Sequence, residues 1–222
     1  MKNRPSSLPL YSFTDVARFS RAQHQLVRRL YLGYRDGDVV RSPLLMATEA
    51  IDRPAPLSFE DLIETSLIVA LRARRISLQA IREAHRIATR EVGEHAFARR
   101  DILVAGADIF MHADEAIDRD GEQLAALTKG GQRALEPVLS EYLQMVDWQE
   151  GWPAEWRPRG GVVRQNPGVE DGLPQVKGVR TEIIRGRFEA DEPIKTIAGD
   201  FGLTPTEVEH ALRYELWLRP AA

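Results

Sequence analysis

The stretch that decides the reading runs from Ile194 to Tyr214: Ile-Lys-Thr-Ile-Ala-Gly-Asp-Phe-Gly-Leu-Thr-Pro-Thr-Glu-Val-Glu-His-Ala-Leu-Arg-Tyr. Ile194, Ile197, Ala198 and Phe201 recur at helical spacing and are stopped by Gly202. A second helix starts at once. Thr204 stands at the N-cap, Pro205 takes the first helical position, and Glu207 follows three residues after the cap. That is a capping box, with proline where its missing N–H does no harm. Leu203, Val208, Ala211 and Leu212 give the second helix one apolar face. Two short helices joined by a glycine-containing turn predict a helix-turn-helix.

The N-terminal end repeats the theme. Ser12 caps a first helix with Asp15 at its N3 position, and Val16, Ala17 and Phe19 supply the buried face. Ser20 to Gln23 forms a turn, and a second helix from His24 to Tyr31 points Leu26, Val27 and Leu30 inward. Gln23, Gln25, Arg28 and Arg29 then face outward, residue types that pair with base edges or phosphates from a helix in the major groove. A wing follows from Tyr34 to Arg41, with Arg35 on it. After a proline-marked linker (residues 47–56), Ser58 with Asp61 caps a long helix through Arg74, and Ser77 caps another running to about Glu91.

Charge separates the ends. The chain carries a net charge of −3, which argues against a generic nucleic-acid binder. Residues 1–41 nevertheless hold eight Lys/Arg against three acids, and residues 166–222 seven against ten. A basic front and an acidic rear suggest a polyanion at one end and another polypeptide at the other. On the rear helix the outward Glu207 and Glu209 would meet phosphate repulsion, so this unit is expected to dimerise the protein or hold a partner protein.

Two resemblances appear. Tyr11-Ser12-x-x-Asp15-Val16-Ala17, Arg28, Ser58-x-x-Asp61-Leu62 and Ile76-Ser77-Leu78-x-x-Ile81-Arg82 look like the DNA-binding domain of MerR-type regulators, over about the first ninety residues. The resemblance implies a phosphate contact for Arg28 and a DNA surface built from Arg21, Gln23, Gln25, Arg28, Arg29, Tyr34 and Arg35. The family's turn glycine is Arg21 here, its recognition-helix cap serine is Gln23, and no sustained heptads follow Gly93.

At the other end, Gly172-x-Pro174-x-Val176-x-Gly178-Val179-Arg180, continued through Ile197-Ala198, Phe201-Gly202-Leu203, Val208 and Ala211-Leu212-x-Tyr214, resembles a small bacterial domain found in antitoxins. Val179 stands where that domain usually has a threonine. A MerR-like head with this tail is similar to the VapB-type antitoxins of VapBC pairs. The resemblance implies a PIN-domain ribonuclease toxin as partner, operator DNA, a homodimer, and no cofactor. Neutralisation by an arginine pushed among the toxin's metal-binding carboxylates would fall to Arg180, Arg185, Arg187, Arg213 or Arg219. The alternatives are a stand-alone MerR-like regulator and an interaction scaffold whose helix-turn-helix units only pack.

The expected architecture is mainly α with small antiparallel β elements, in three units: 10–93 (winged helix-turn-helix), 94–165 (β-hairpin and helix) and 166–222 (helix-turn-helix). In the middle unit, Asp101 to Met111 alternates about Gly106-Ala107 and is read as a hairpin. Gln132 to Met145 is read as a helix containing Pro137, and residues 146–150, 154–157 and 162–165 as short strands. Trp148, Trp152 and Trp156 are read as sheet-packing residues.

Catalytic chemistry is not expected. Gly130-Gly131 and Gly160-Gly161 lack the following Lys-Ser/Thr of a phosphate loop, and the histidines at 24, 85, 95, 112 and 210 are scattered. His112 with Asp114 and Glu115 fits no metal-ligand spacing, and no metal site is expected. Zero cysteines exclude disulfides and thiolate sites. No apolar run reaches membrane-spanning length and the N-terminus lacks a signal-peptide core, so a cytoplasmic protein is the expectation.

Overall fold

The computed structural model of the chain describes residues 4–106, 109 and 130–219. The fold is mainly helical, with short antiparallel strand pairs. Strand β1 (Pro9–Tyr11) leads into α1 (Phe13–Ser20) and α2 (His24–Leu32), and β2 (Tyr34–Asp36) pairs with β3 (Val39–Arg41) as the expected wing. The Ser12 hydroxyl accepts from the Asp15 amide at 3.1 Å while Asp15 accepts from the Ser12 amide at 2.9 Å, completing the predicted capping box. Gln23 stands at the N-cap of α2 and makes no side-chain capping bond. Gly33 ends α2 at φ +70°, where a Cβ would run into the Arg41 carbonyl. That close approach folds the wing back on the helix.

Strand β4 (Leu57–Ser58) pairs with β1 and enters α3 (Phe59–Ala73), the central helix, which α1, β1, the Ala96–Ala98 turn, the helix Gly130–Met145 and the strand Trp152–Trp156 all touch. Phe59, Leu62, Ile63, Leu67, Ile68 and Leu71 are buried on it, and so are Glu60, Asp61 and Glu64. Buried carboxylates demand partners. Glu60 finds Ser6 Oγ at 2.8 Å and Arg4 Nε at 3.2 Å. Helix α4 (Leu78–Val92) follows, with Ser77 accepting from the Ala80 amide as its cap.

The hairpin expected at 101–111 is not what forms. Residues 100–106 are helical (α5). In a strand, Ile102 and Val104 would share a face; instead Ile102 and Leu103 are buried at 4% and 2% exposure while Val104 stands 63% exposed. Helical spacing puts Ile102, Leu103 and Ile109 inward, and Gly106 abuts the Leu139 side chain of α6 (Gly130–Met145). Packing against α6 therefore decided between two periods that so short a stretch could not separate. His112, Asp114 and Glu115 lie outside the described residues.

Strands β5 (Val146–Gln149) and β6 (Trp152–Trp156) pair, β6 beginning two residues earlier than predicted because Glu150 and Gly151, both at positive φ, make the turn. Residues 162–165, expected as a third strand, form only isolated bridges, Gln165 to Trp156 and Arg164 to Gln175. Trp156 is buried; Trp152 instead lies under the Arg4 guanidinium, 3.8 Å from its ring centroid. Strands β7 (Gln175–Val176) and β8 (Val179–Arg180) lead to α7 (Thr181–Glu189), α8 (Ile194–Phe201) and α9 (Pro205–Leu218). Helix α7 follows Arg180 at its N-cap, which supplies no side-chain cap. Gly202 closes α8 in the left-handed region and Thr204 with Glu207 forms the predicted capping box on α9. Among the described residues no helix is long and apolar enough to cross a membrane.

Candidate nucleic-acid interface

Gln23 at the N-cap of α2 and Gln25, Arg28 and Arg29 on it are exposed beside the wing residues Arg35 and Arg41, with Tyr34 half-buried. The folding logic is local: Val27, Leu30 and Tyr31 turn into the core, so the helical period pushes the polar residues outward. Aromatic rings orient the guanidinium groups. Arg28 lies 5.9 Å from the Phe13 ring centroid, Arg29 5.2 Å from that of Tyr34, and Arg21 5.0 Å from that of Trp217 on α9. Arg21 closes α1 at φ +56°, the left-handed conformation for which glycine is the usual residue.

Among the described residues, the ion pairs include none of Arg21, Arg28, Arg29, Arg35 or Arg41. Arg82, which the sequence reading did not single out, lies beside this surface. From α4 it donates to the Ser42 carbonyl at 2.8 Å, and burial first, then the charge of Arg41, push its guanidinium below the usual arginine range. Its place in the Ile-Ser-Leu-x-x-Ile-Arg string was the available signal.

The rear arginines are all engaged. Arg180 meets Glu170 at 2.6 Å and Asp171 at 3.2 Å; Arg185 lies 3.5 Å from Glu215; Arg187 pairs with Glu192 and, at 2.6 Å, with Asp200. Arg213 meets Glu209 at 3.2 Å and Arg219 meets Glu189 at 2.6 Å, both at the surface. Glu207 pairs with Lys177 at 2.8 Å. The two carboxylates expected to repel DNA from α9 are thus each neutralised by a neighbour.

A third group of charges is buried between α3 and the Ala96–Ala98 turn, where Asp61, Glu64 and His95 bring their ligand atoms together. Burial raises the Asp61 carboxyl. For Glu64, burial pushes upward but the flanking His85 and His95 prevail, holding it at about 2. Burial lowers the His95 imidazole, yet Glu64 and Asp61 outweigh it and push it up to about 9.

No protein-family model matches the chain. Among solved structures it is similar to the crystal structure of Rv2018 from Mycobacterium tuberculosis, at 21% identity and a TM-score of 0.72 over 92% of this chain and 97% of that one. That likeness shows the fold. A Mycobacterium tuberculosis protein carrying the provisional name antitoxin VapB45 is 22% identical to it, over 92% of this chain and 93% of its own length.

Proposed function

We propose that this chain is the antitoxin of a type II toxin–antitoxin pair, binding operator DNA through α2 and the wing and a PIN-domain ribonuclease through its rear, as a homodimer. One observation carries the reading: the arginines divide by use. Among the described residues, Arg28, Arg29 and Arg35 face solvent without carboxylate partners, as phosphate-binding groups do, whereas the rear arginines are paired within the chain. The relative named as an antitoxin supports the pairing with a toxin.

Within the rear, Arg213 and Arg219 fit toxin contact best. Arg213 is 72% exposed, and each has a single surface carboxylate as partner. Such pairs are worth little in water, so either guanidinium exchanges readily for the desolvated carboxylates of a metal site. Arg180, Arg185 and Arg187 are better placed to hold the rear unit together.

The test has two arms. Gel shifts on the upstream DNA compare the wild type with Arg28→Ala, Arg29→Ala; the double change should weaken binding and lower the salt slope by about 2. In cells arrested by a PIN-domain toxin gene found beside this one, co-expression of the chain should restore growth, and Arg213→Ala with Arg219→Ala should impair the rescue. Growth arrest beside a folded, full-length chain would refute the antitoxin reading. DNA binding retained in that case would return the chain to a stand-alone regulator.

A further inference from the structure

Asp61 and Glu64 lie almost one turn apart on α3, and each has one carboxylate oxygen fully employed. Asp61 Oδ2 accepts from the Ser58 amide at 2.7 Å, Ser58 Oγ at 2.9 Å and Thr48 Oγ1 at 2.7 Å. Glu64 Oε1 accepts from the Phe97 amide at 2.8 Å and lies 3.3 Å from His85 Nε2. The remaining oxygens turn to His95 Nδ1, Asp61 Oδ1 at 3.7 Å and Glu64 Oε2 at 3.4 Å. Asp61 is fully buried, and its Oδ1 has no hydrogen-bond partner among the described residues; neither has His95 Nδ1.

We propose that Asp61 Oδ1, Glu64 Oε2 and His95 Nδ1 form a binding site for a divalent cation of the zinc class. His95 Nδ1 stands 3.4 Å from Glu64 Oε2 and 3.7 Å from Asp61 Oδ1, close to the spacing of about 3.3–3.6 Å between ligands that lie about 2.0–2.2 Å from a tetrahedral ion. Charge is compatible: ligation requires the imidazole to give up its proton, and the two buried carboxylates then match the two positive charges of the ion. The outer groups agree too: Ser58, Thr48, His85 and the Phe97 amide orient the ligands as hydrogen-bonding neighbours of metal sites do. Filled, the site ties the capped start of α3 to the turn after α4 and stiffens the platform that carries α1 and α2.

The experiment uses the full-length, tag-free protein stripped with EDTA. Titration with Zn²⁺ in a calorimeter should give one ion per chain, and Tm should rise with Zn²⁺ concentration. Co²⁺ should give the intense visible bands of four-coordinate geometry, a readout that needs no variant. His95→Gly suits the φ of +53° at that residue, and should weaken Zn²⁺ binding by about tenfold or more with the circular dichroism unchanged. Absence of stoichiometric binding, a weak octahedral Co²⁺ spectrum, or undiminished affinity in the folded His95→Gly protein would each overturn the proposal. None of these outcomes depends on the antitoxin reading.

Discussion

Arg18 of α1 donates through Nη2 to the buried carboxylate of Glu215 on α9 at 2.8 Å, joining the front helix-turn-helix to the rear one across 197 residues of sequence. The same carboxylate accepts from Thr181 Oγ1 at 2.5 Å and has Arg185 Nε 3.5 Å away. Glu215 is therefore the knot of three elements, and its burial makes each partner necessary.

Arg18→Ala should destabilise the fold by about 1–3 kcal/mol, less than loss of a wholly buried pair because Arg18 is one-third exposed and screened. Urea unfolding should show a lower midpoint at unchanged slope. An unaltered midpoint would mean that Thr181 and Arg185 suffice.

A second seam joins Tyr11 Oη to the Gly172 carbonyl at 2.8 Å. Gly172 sits at φ +73°, and a Cβ there would strike the Tyr11 hydroxyl. Gly172→Ala should therefore cost about 2–4 kcal/mol, combining left-handed strain with overpacking. Adding Tyr11→Phe removes the clashing oxygen, so the double variant should be more stable than the sum of the two single effects allows. Additivity in a thermal or urea cycle would remove the clash from the explanation.

Arg21 offers a separation of structure from binding. At φ +56° glycine relieves about 1 kcal/mol of strain, while its looser unfolded state offsets about 0.4–1 kcal/mol. Arg21→Gly should thus keep stability within about 1 kcal/mol of the wild type, yet weaken DNA binding and lower the salt slope by about 1. A slope that does not change would restrict Arg21 to its contact with Trp217.

The sequence by itself determined what lies within a few residues of chain: the capping boxes of Ser12 with Asp15, Ser58 with Asp61 and Thr204 with Glu207, the Gly202 turn, and the outward arginines of α2. Caps and helical periods are short-range hydrogen bonds and steric rules, so local spelling suffices for them. Tertiary structure alone decided that residues 100–106 form a helix, since burial against α6 chose the period. It also decided that His95, one of five scattered histidines, meets Asp61 and Glu64, and that Glu207 and Glu209 are neutralised rather than bare. Such meetings depend on which faces the whole chain buries together, and charge counts taken along a sequence carry no record of them.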